Sequence, residues 1–262
     1  NLILKEYWNL LPKKKILKNW IPFDKICWDN LCYNENAIQL LKEKIENEKK
    51  LTIEEYNKLS HTIYSIDWYN LCENPNAIDL LKNNPEKINW NQLSLNKNAI
   101  SILEENLDKI DWNNLSYNKN AIHLLEQNLD KINWNNLSCN KNAIHLLEQN
   151  KDKINWAILS GNKNAIHLLE QNLDKINWNN LSHNKHAISI LEKNLDKINW
   201  RFLAVNKNAI SILEKNFDKI DWIFLCYNKY AINLLEKNKD KINYEVLSQN
   251  PSIFSDEPMP NI

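Results

Sequence analysis

Tryptophan returns along this chain at a fixed interval. Trp68, Trp90, Trp112, Trp134, Trp156, Trp178, Trp200 and Trp222 stand 22 residues apart, and Tyr244 continues the series. Trp28 opens it, 40 residues before Trp68, so that copy carries an insertion of 18 residues. A period of this length marks a repeat array, in which each unit buries its apolar face only by stacking on a neighbour. The unit reads about N-K-N-A-I-H-L-L-E-Q-N-L-D-K-I-N-W-N-N-L-S-x, and some ten copies fill the 262 residues. Positions constant across copies answer to shared packing. Positions that vary are free to carry function.

The first half of each unit predicts a helix. Ala121, Ile122, Leu124 and Leu125 share one helical face. Asn118 is placed as the N-cap, and Pro75, in its own copy, as the first helical residue. The helix is expected to stop at Asn128, with Asn standing in for glycine in the left-handed region and Leu129 packing beyond it. The second half predicts a shorter α- or 3₁₀-helix. Asn or Asp precedes every Trp of the series except Trp28, where Cys27 stands, and either residue can cap. Trp112, Leu115 and Ser116 then share a face. The Ser116 slot holds Cys32, Cys72, Ala204 and Cys226 in other copies, all small, as a close helix–helix contact requires. The fold class is therefore an all-α solenoid of about ten units, each a short α-helix plus a shorter helix. With one Trp in every core, Trp134→Ala should cost about 3–5 kcal/mol. A leucine-rich-repeat-like α/β solenoid is the alternative, with residues 131–135 as a strand and Ile132 and Trp134 inward. Against it, Leu137 stands where that motif places its ladder Asn or Cys.

The array has irregular ends. Residues 1–26 form an N-terminal capping segment with a leading helix, and the run Lys13–Lys15 is a solvated face. Residues 27–250 form the solenoid. Its insertion near 43–62 adds a helix, signalled by Thr52 and Glu55 in capping-box spacing, with Tyr56, Leu59 and Ile63 on one face. Residues 251–262 form a C-terminal cap or tail.

Composition excludes many functions. Gly161 is the only glycine, so neither a Rossmann nor a P-loop phosphate cradle can be built. No apolar run approaches the ~20 residues of a membrane span. The amino end, N-L-I-L-K-E-Y-W, has too short an apolar stretch for a secretory signal and lacks an initiator Met, as in a fragment or processed chain. Five cysteines, an odd number without C-x-x-C spacing, favour a reducing intracellular compartment. The N-L-S sequons at Asn114, Asn136 and Asn180 arise inside the repeat and read as accidents.

No motif stands apart from the repeat as a catalytic constellation, so an enzyme is not expected, nor a cofactor. His123, His145 and His167 occupy one slot in successive copies. A full repeat separates them, whereas metal ligands must converge on one ion, so no metal is expected. Lys97, Lys119, Lys141, Lys163, Lys185, Lys207 and Lys229 form a row that could track phosphates. Yet net charge is zero, from 33 basic and 33 acidic residues, and Arg201 is the only arginine, which argues against nucleic acid. The Trp series could stack bases, but its place beside Leu and Ile assigns it to the core.

Variation picks out the candidate site. The two residues after Trp are mostly Asn, but become Ala157–Ile158, Arg201–Phe202 and Ile223–Phe224. A third variable slot reads Tyr117, Cys139, Gly161, His183, Val205, Tyr227. Ile158, Arg201, Phe202, Ile223, Phe224 and Tyr227 thus predict an apolar protein-binding patch toward the carboxyl end. The competing expectation is that the tail, with Phe254 and Met259, folds back and covers it.

The segment N-P-N-A-I-D-L-L-K-N-N-P-E-K-I-N-W at Asn74–Trp90 resembles a repeat of giant DNA viruses, in mimivirus-like and chlorella-virus-like proteins. I-P-F-D-K-I-C-W-D-N-L is similar to the segment that opens such proteins, and the resemblance covers nearly the whole chain. Lys97 and Lys119 in place of Pro, and Leu107 and Leu129, depart from the pattern. The resemblance implies viral provenance and a repeat architecture without naming an activity. Together these features lead to the expectation of a non-enzymatic viral scaffold for protein–protein interaction, in the infected host cell or the virion, with a host or viral protein as partner. A structural component of the virion is the alternative, and nucleic-acid binding a minor one.

Overall fold

The computed structural model describes residues 16–59 and 65–254, leaving out the Phe23 side chain. The start of the leading segment with Lys13–Lys15, Ile63 of the insertion, and Met259 of the tail lie outside the described residues. Two compact bodies, residues 1–132 and 133–262, make up the chain. Each is an all-α solenoid, and no strand occurs among the described residues. The leucine-rich-repeat alternative is thereby removed.

One copy in each body shows how the sequence builds the unit. In the first body, Ile78–Lys82 is followed by a 3₁₀ turn at Pro85–Lys87 and then by Trp90–Leu95. In the second, Ile166–Glu170, Leu173–Lys175 and Trp178–His183 repeat that order. The D-K segment thus forms its own 3₁₀ turn in most copies, an element the apolar periodicity does not reveal. Three residues carry too little pattern to be seen.

Asparagine organises the unit differently from the capping roles expected of it. The first helix begins after Ala77, which has no side-chain cap, and Pro75 sits in the turn before it. In that turn Ala77 N donates to Asn74 O at 3.1 Å, which places Pro75 where its fixed φ suits a β-turn. Asn74 Oδ1 accepts from Asn76 N at 3.0 Å, while its Nδ2 donates to Cys32 O and Asn34 O in the previous copy. The same asparagine in the second body, Asn162, donates to Ser138 O and Asn140 O. These asparagines are buried and tie one copy to the next. The helix-ending asparagines do not adopt the left-handed region either. Asn84 has φ −142° and Asn172 φ −139°. Each instead donates its Nδ2 to the carbonyl four residues back, Leu80 O and Leu168 O, both at 2.8 Å. A side-chain amide satisfies an orphan helix carbonyl here, a task glycine cannot perform.

The second helix follows expectation. Asp111 accepts from Asn114 N and Asn177 from Asn180 N, whereas Cys27 makes no side-chain cap. The small residue at its end does more than make room. Ser160 Oγ donates to Trp156 O at 2.7 Å and accepts from Asn177 N of the next copy at 3.0 Å. Cys72 keeps the second bond, accepting from Asn89 N through Sγ.

Leucine, rather than tryptophan, fills the core. Leu81, Leu93, Leu103, Leu115, Leu169, Leu181, Leu191 and Leu203 are fully buried, together with Ala77 and Ala165. Each repeated Trp from Trp68 to Trp222 is only half-buried, its ring at the rim of the stack. From Trp90 onward a lysine from the following copy closes over the ring: Lys109 lies 4.8 Å from the Trp90 ring centre, Lys175 4.9 Å from Trp156 and Lys197 5.2 Å from Trp178. A ring so placed keeps one edge wet and gains a cation–π contact.

In the first body the insertion lengthens one helix to Ile38–Glu48 and adds Ile53–Leu59. Its capping box is present: Glu55 N donates to Thr52 Oγ1, and Thr52 N to Glu55 Oε2 at 2.8 Å.

Candidate functional site

The variable slots lie on the second helices and at the turns that end them, and the inner faces of these helices are held by Leu181, Leu203 and Leu225, all fully buried. Their outer faces line a groove of about 400 Å³ in the second body. Gly161, His183, Phe202, Val205, Phe224 and Tyr227 line it, together with Asn179 and Asn180. Three residues expected in the patch, Phe202, Phe224 and Tyr227, therefore meet. Phe224 and Tyr227 pack edge to face, ring centres 6.0 Å apart. Arg201 supports the wall rather than lining it, its guanidinium 4.0 Å above the Phe224 ring. Ile158 and Ile223 are exposed but stand outside the groove.

Gly161, His183 and Val205 complete the groove and were not among the expected site residues. Their signal lay in the third variable slot, which holds five residue types in the six copies shown. Gly161 is there for what it lacks. An added Cβ would meet nothing closer than Ile158 O at 3.5 Å, an ordinary contact. The backbone does not require glycine at this point, so the missing side chain leaves the groove open where Tyr117 or Tyr227 would project. The tail does not close it within the described residues, for Phe254 is 80% exposed.

A second hollow of about 320 Å³ adjoins the first, sharing Gly161, Asn180 and His183. Lys141, Lys163, Lys185 and His186 line it, and no carboxylate among the described residues lines either hollow. The lysine row thus passes along one side of the apolar groove.

Other residues singled out by the sequence form no site. His123 Nε2 lies 2.6 Å from Glu104 Oε1, and His167 pairs with Glu148 in the same way, each pair joining neighbouring copies. Among the described residues no group of three or more His, Cys, Asp or Glu could hold a metal ion. The thiols are free, and burial pushes Cys32 up to about 12 and raises Cys72, Cys139 and Cys226. Thiols raised in this way are poor nucleophiles. No helix among the described residues is long and apolar enough to cross a membrane.

Compared with family models, curated proteins and solved structures, the chain finds no match. The class that fold and site define is an all-α repeat solenoid with an open apolar groove on one outer face.

Proposed function

We propose that this chain is a non-enzymatic scaffold that binds another protein through the groove of the second body. The observation that carries the reading is the gathering of Phe202, Val205, Phe224 and Tyr227 around an open floor at Gly161. Phe202 and Phe224 stand where most copies place asparagine, and large apolar side chains gathered in such slots mark a surface that is covered on binding. The two phenylalanines are a departure from the repeat, and packing within the repeat does not call for them. Viral provenance is part of the proposal and rests on the repeat's resemblance to giant-virus sequences, with a host or viral protein as partner.

Affinity capture from infected cells, with the wild-type chain and Gly161→Tyr side by side, tests the reading. Tyr117 and Tyr227 occupy the equivalent position, so the repeat backbone accepts tyrosine there. Partners recovered by the wild type and lost on filling the groove support the scaffold. Identical recovery by both chains removes the groove from the interaction. Stoichiometric presence in purified particles would favour the virion component over a free scaffold.

A further inference from the structure

We infer that the occupant of the groove is an acidic peptide segment of the partner, anchored by one large apolar side chain. The inference deepens the proposed scaffold function and rests on it. It starts from the continuity of two hollows, one apolar and one basic, across Gly161, Asn180 and His183. A side chain seated among Phe202, Val205, Phe224 and Tyr227 brings its neighbours in sequence over Lys141, Lys163 and Lys185. None of these three lysines forms an ion pair with a carboxylate among the described residues. Their charges are therefore available to a ligand.

The first body shows the response of this row to an acid. Glu35 occupies the lysine slot in its own copy, and Lys97 Nζ approaches its Oε1 at 3.7 Å. Carboxylates on a bound segment would take the place that Glu35 takes there. A single exposed pair contributes little, but a row of like charges steers an oppositely charged partner and gives salt-dependent association. Apolar burial then supplies the retention and lysine the selection.

The arrangement favours a peptide over a single-stranded nucleic acid, which lysines and aromatic rings could also serve. Arg201 already covers a face of the Phe224 ring, and Tyr227 meets that ring edge to face. The hollow is an open apolar groove, lined by Val205 and left unfilled at Gly161. It fits a branched or aromatic side chain better than a stacked base, and the lysines line the adjoining hollow rather than the groove itself.

The repeat supplies its own test substitutions, each a residue that another copy carries in the same slot. Gly161→Tyr plugs the groove, Phe202→Asn with Phe224→Asn restores the common polar face, and Lys163→Glu with Lys185→Glu reverses the row in the manner of Glu35. Circular dichroism and a denaturant melt check that each full-length variant folds. The probe is a display library of random short peptides, selected on the wild-type chain. Selection should enrich peptides with a Leu, Ile, Phe or Trp beside clustered Asp or Glu. Fluorescence anisotropy of an enriched peptide should weaken about tenfold or more on reversing the two lysines, and should fall steeply with added salt. Gly161→Tyr and the double asparagine variant should abolish it.

Failure has separate signatures. Peptides that are apolar without acidic residues, bind equally well to the charge-reversed chain, and are lost on plugging the groove overturn the acidic segment while leaving the scaffold in place. No enrichment over the plugged chain overturns both. Tighter binding of a thymidine homopolymer than of any selected peptide, abolished by the same substitutions, assigns the groove to nucleic acid instead.

Discussion

Asn162 and Asn172 sit ten residues apart in one copy and do different work. Asn162 is buried and spends its amide hydrogens on two carbonyls of the preceding copy, Ser138 O at 3.1 Å and Asn140 O at 3.2 Å, so its loss leaves acceptors facing a closed interior. Asn172 ends a helix through its side chain at negative φ. A left-handed stop there would have been improved by glycine. With the observed geometry, Asn172→Gly removes a hydrogen bond and loosens the chain, costing about 1 kcal/mol or more; equal or higher stability in a urea melt would restore the left-handed reading. That asparagine matters was legible in the sequence, but which of its bonds matters was not, because the ladder partners lie 22 and 24 residues away. Glu48 offers a second test at this scale. It is buried, accepts from Ile66 N at 3.2 Å and meets Lys44 at 3.5 Å. Desolvation nonetheless dominates and raises its pKa above the usual glutamate value, while Lys44 and the Ile66 amide pull it down. A folded pKa above the unfolded one means stability that is present in acid and lost as pH rises through the folded value. Glu48→Gln should therefore flatten the fall in stability between mildly acidic and neutral pH, with little loss at pH 7. An unchanged pH profile of the denaturation midpoint would show that Glu48 carries no net desolvation penalty.

The first helix of each copy was readable from its i, i+1, i+3, i+4 apolar face, and the second from the Asn or Asp before Trp. The position of the ring was not readable, since periodicity assigns a residue to a face without saying how deep it lies. Trp178 sits at the rim under Lys197, 5.2 Å from the ring centre, and Leu181, three residues on, is fully buried. A half-buried ring removes less surface from water than a core residue of its size, and an exposed cation–π contact adds only about 0.5–1 kcal/mol. Trp178→Ala should thus fall below the ~3–5 kcal/mol of a core aromatic, whereas Leu181→Ala should cost about 2–5 kcal/mol through its cavity. Chemical denaturation of the two variants decides the order. A larger loss for Trp178→Ala would return tryptophan to the core. The lysine contact also gives the D-K segment a purpose beyond solvation, because its 3₁₀ turn sets Lys175 or Lys219 over the preceding copy's ring.

At the scale of the molecule, neutrality and repetition go together, since each copy brings its own lysines and carboxylates and the total cancels at 33 against 33. Cancellation over the whole does not prevent a local excess, and the hollow lined by Lys141, Lys163 and Lys185 is one that net charge conceals. The candidate site was half legible for a related reason. Phe202 and Phe224 stood out as apolar residues in polar slots and Tyr227 as an aromatic in a variable one, but Gly161 and His183 contribute an open floor and a rim, which only coordinates display. Repetition also determines how the structure fails. Every inter-copy hydrogen bond described above joins a copy to those adjoining it, as Asn206 does with Ser182 O and Asn250 with Cys226 O. Stability then divides into local terms linked by nearest-neighbour interfaces rather than one shared core. Leu225→Ala, a cavity in a fully buried site of the second body, should speed amide exchange in the copies around Trp200, Trp222 and Tyr244. Amides around Trp156, farther along the same body, should keep their protection, and the denaturation transition should broaden. Uniformly faster exchange across residues 133–254 with an unbroadened transition would mean that the copies of this body melt as a single cooperative unit.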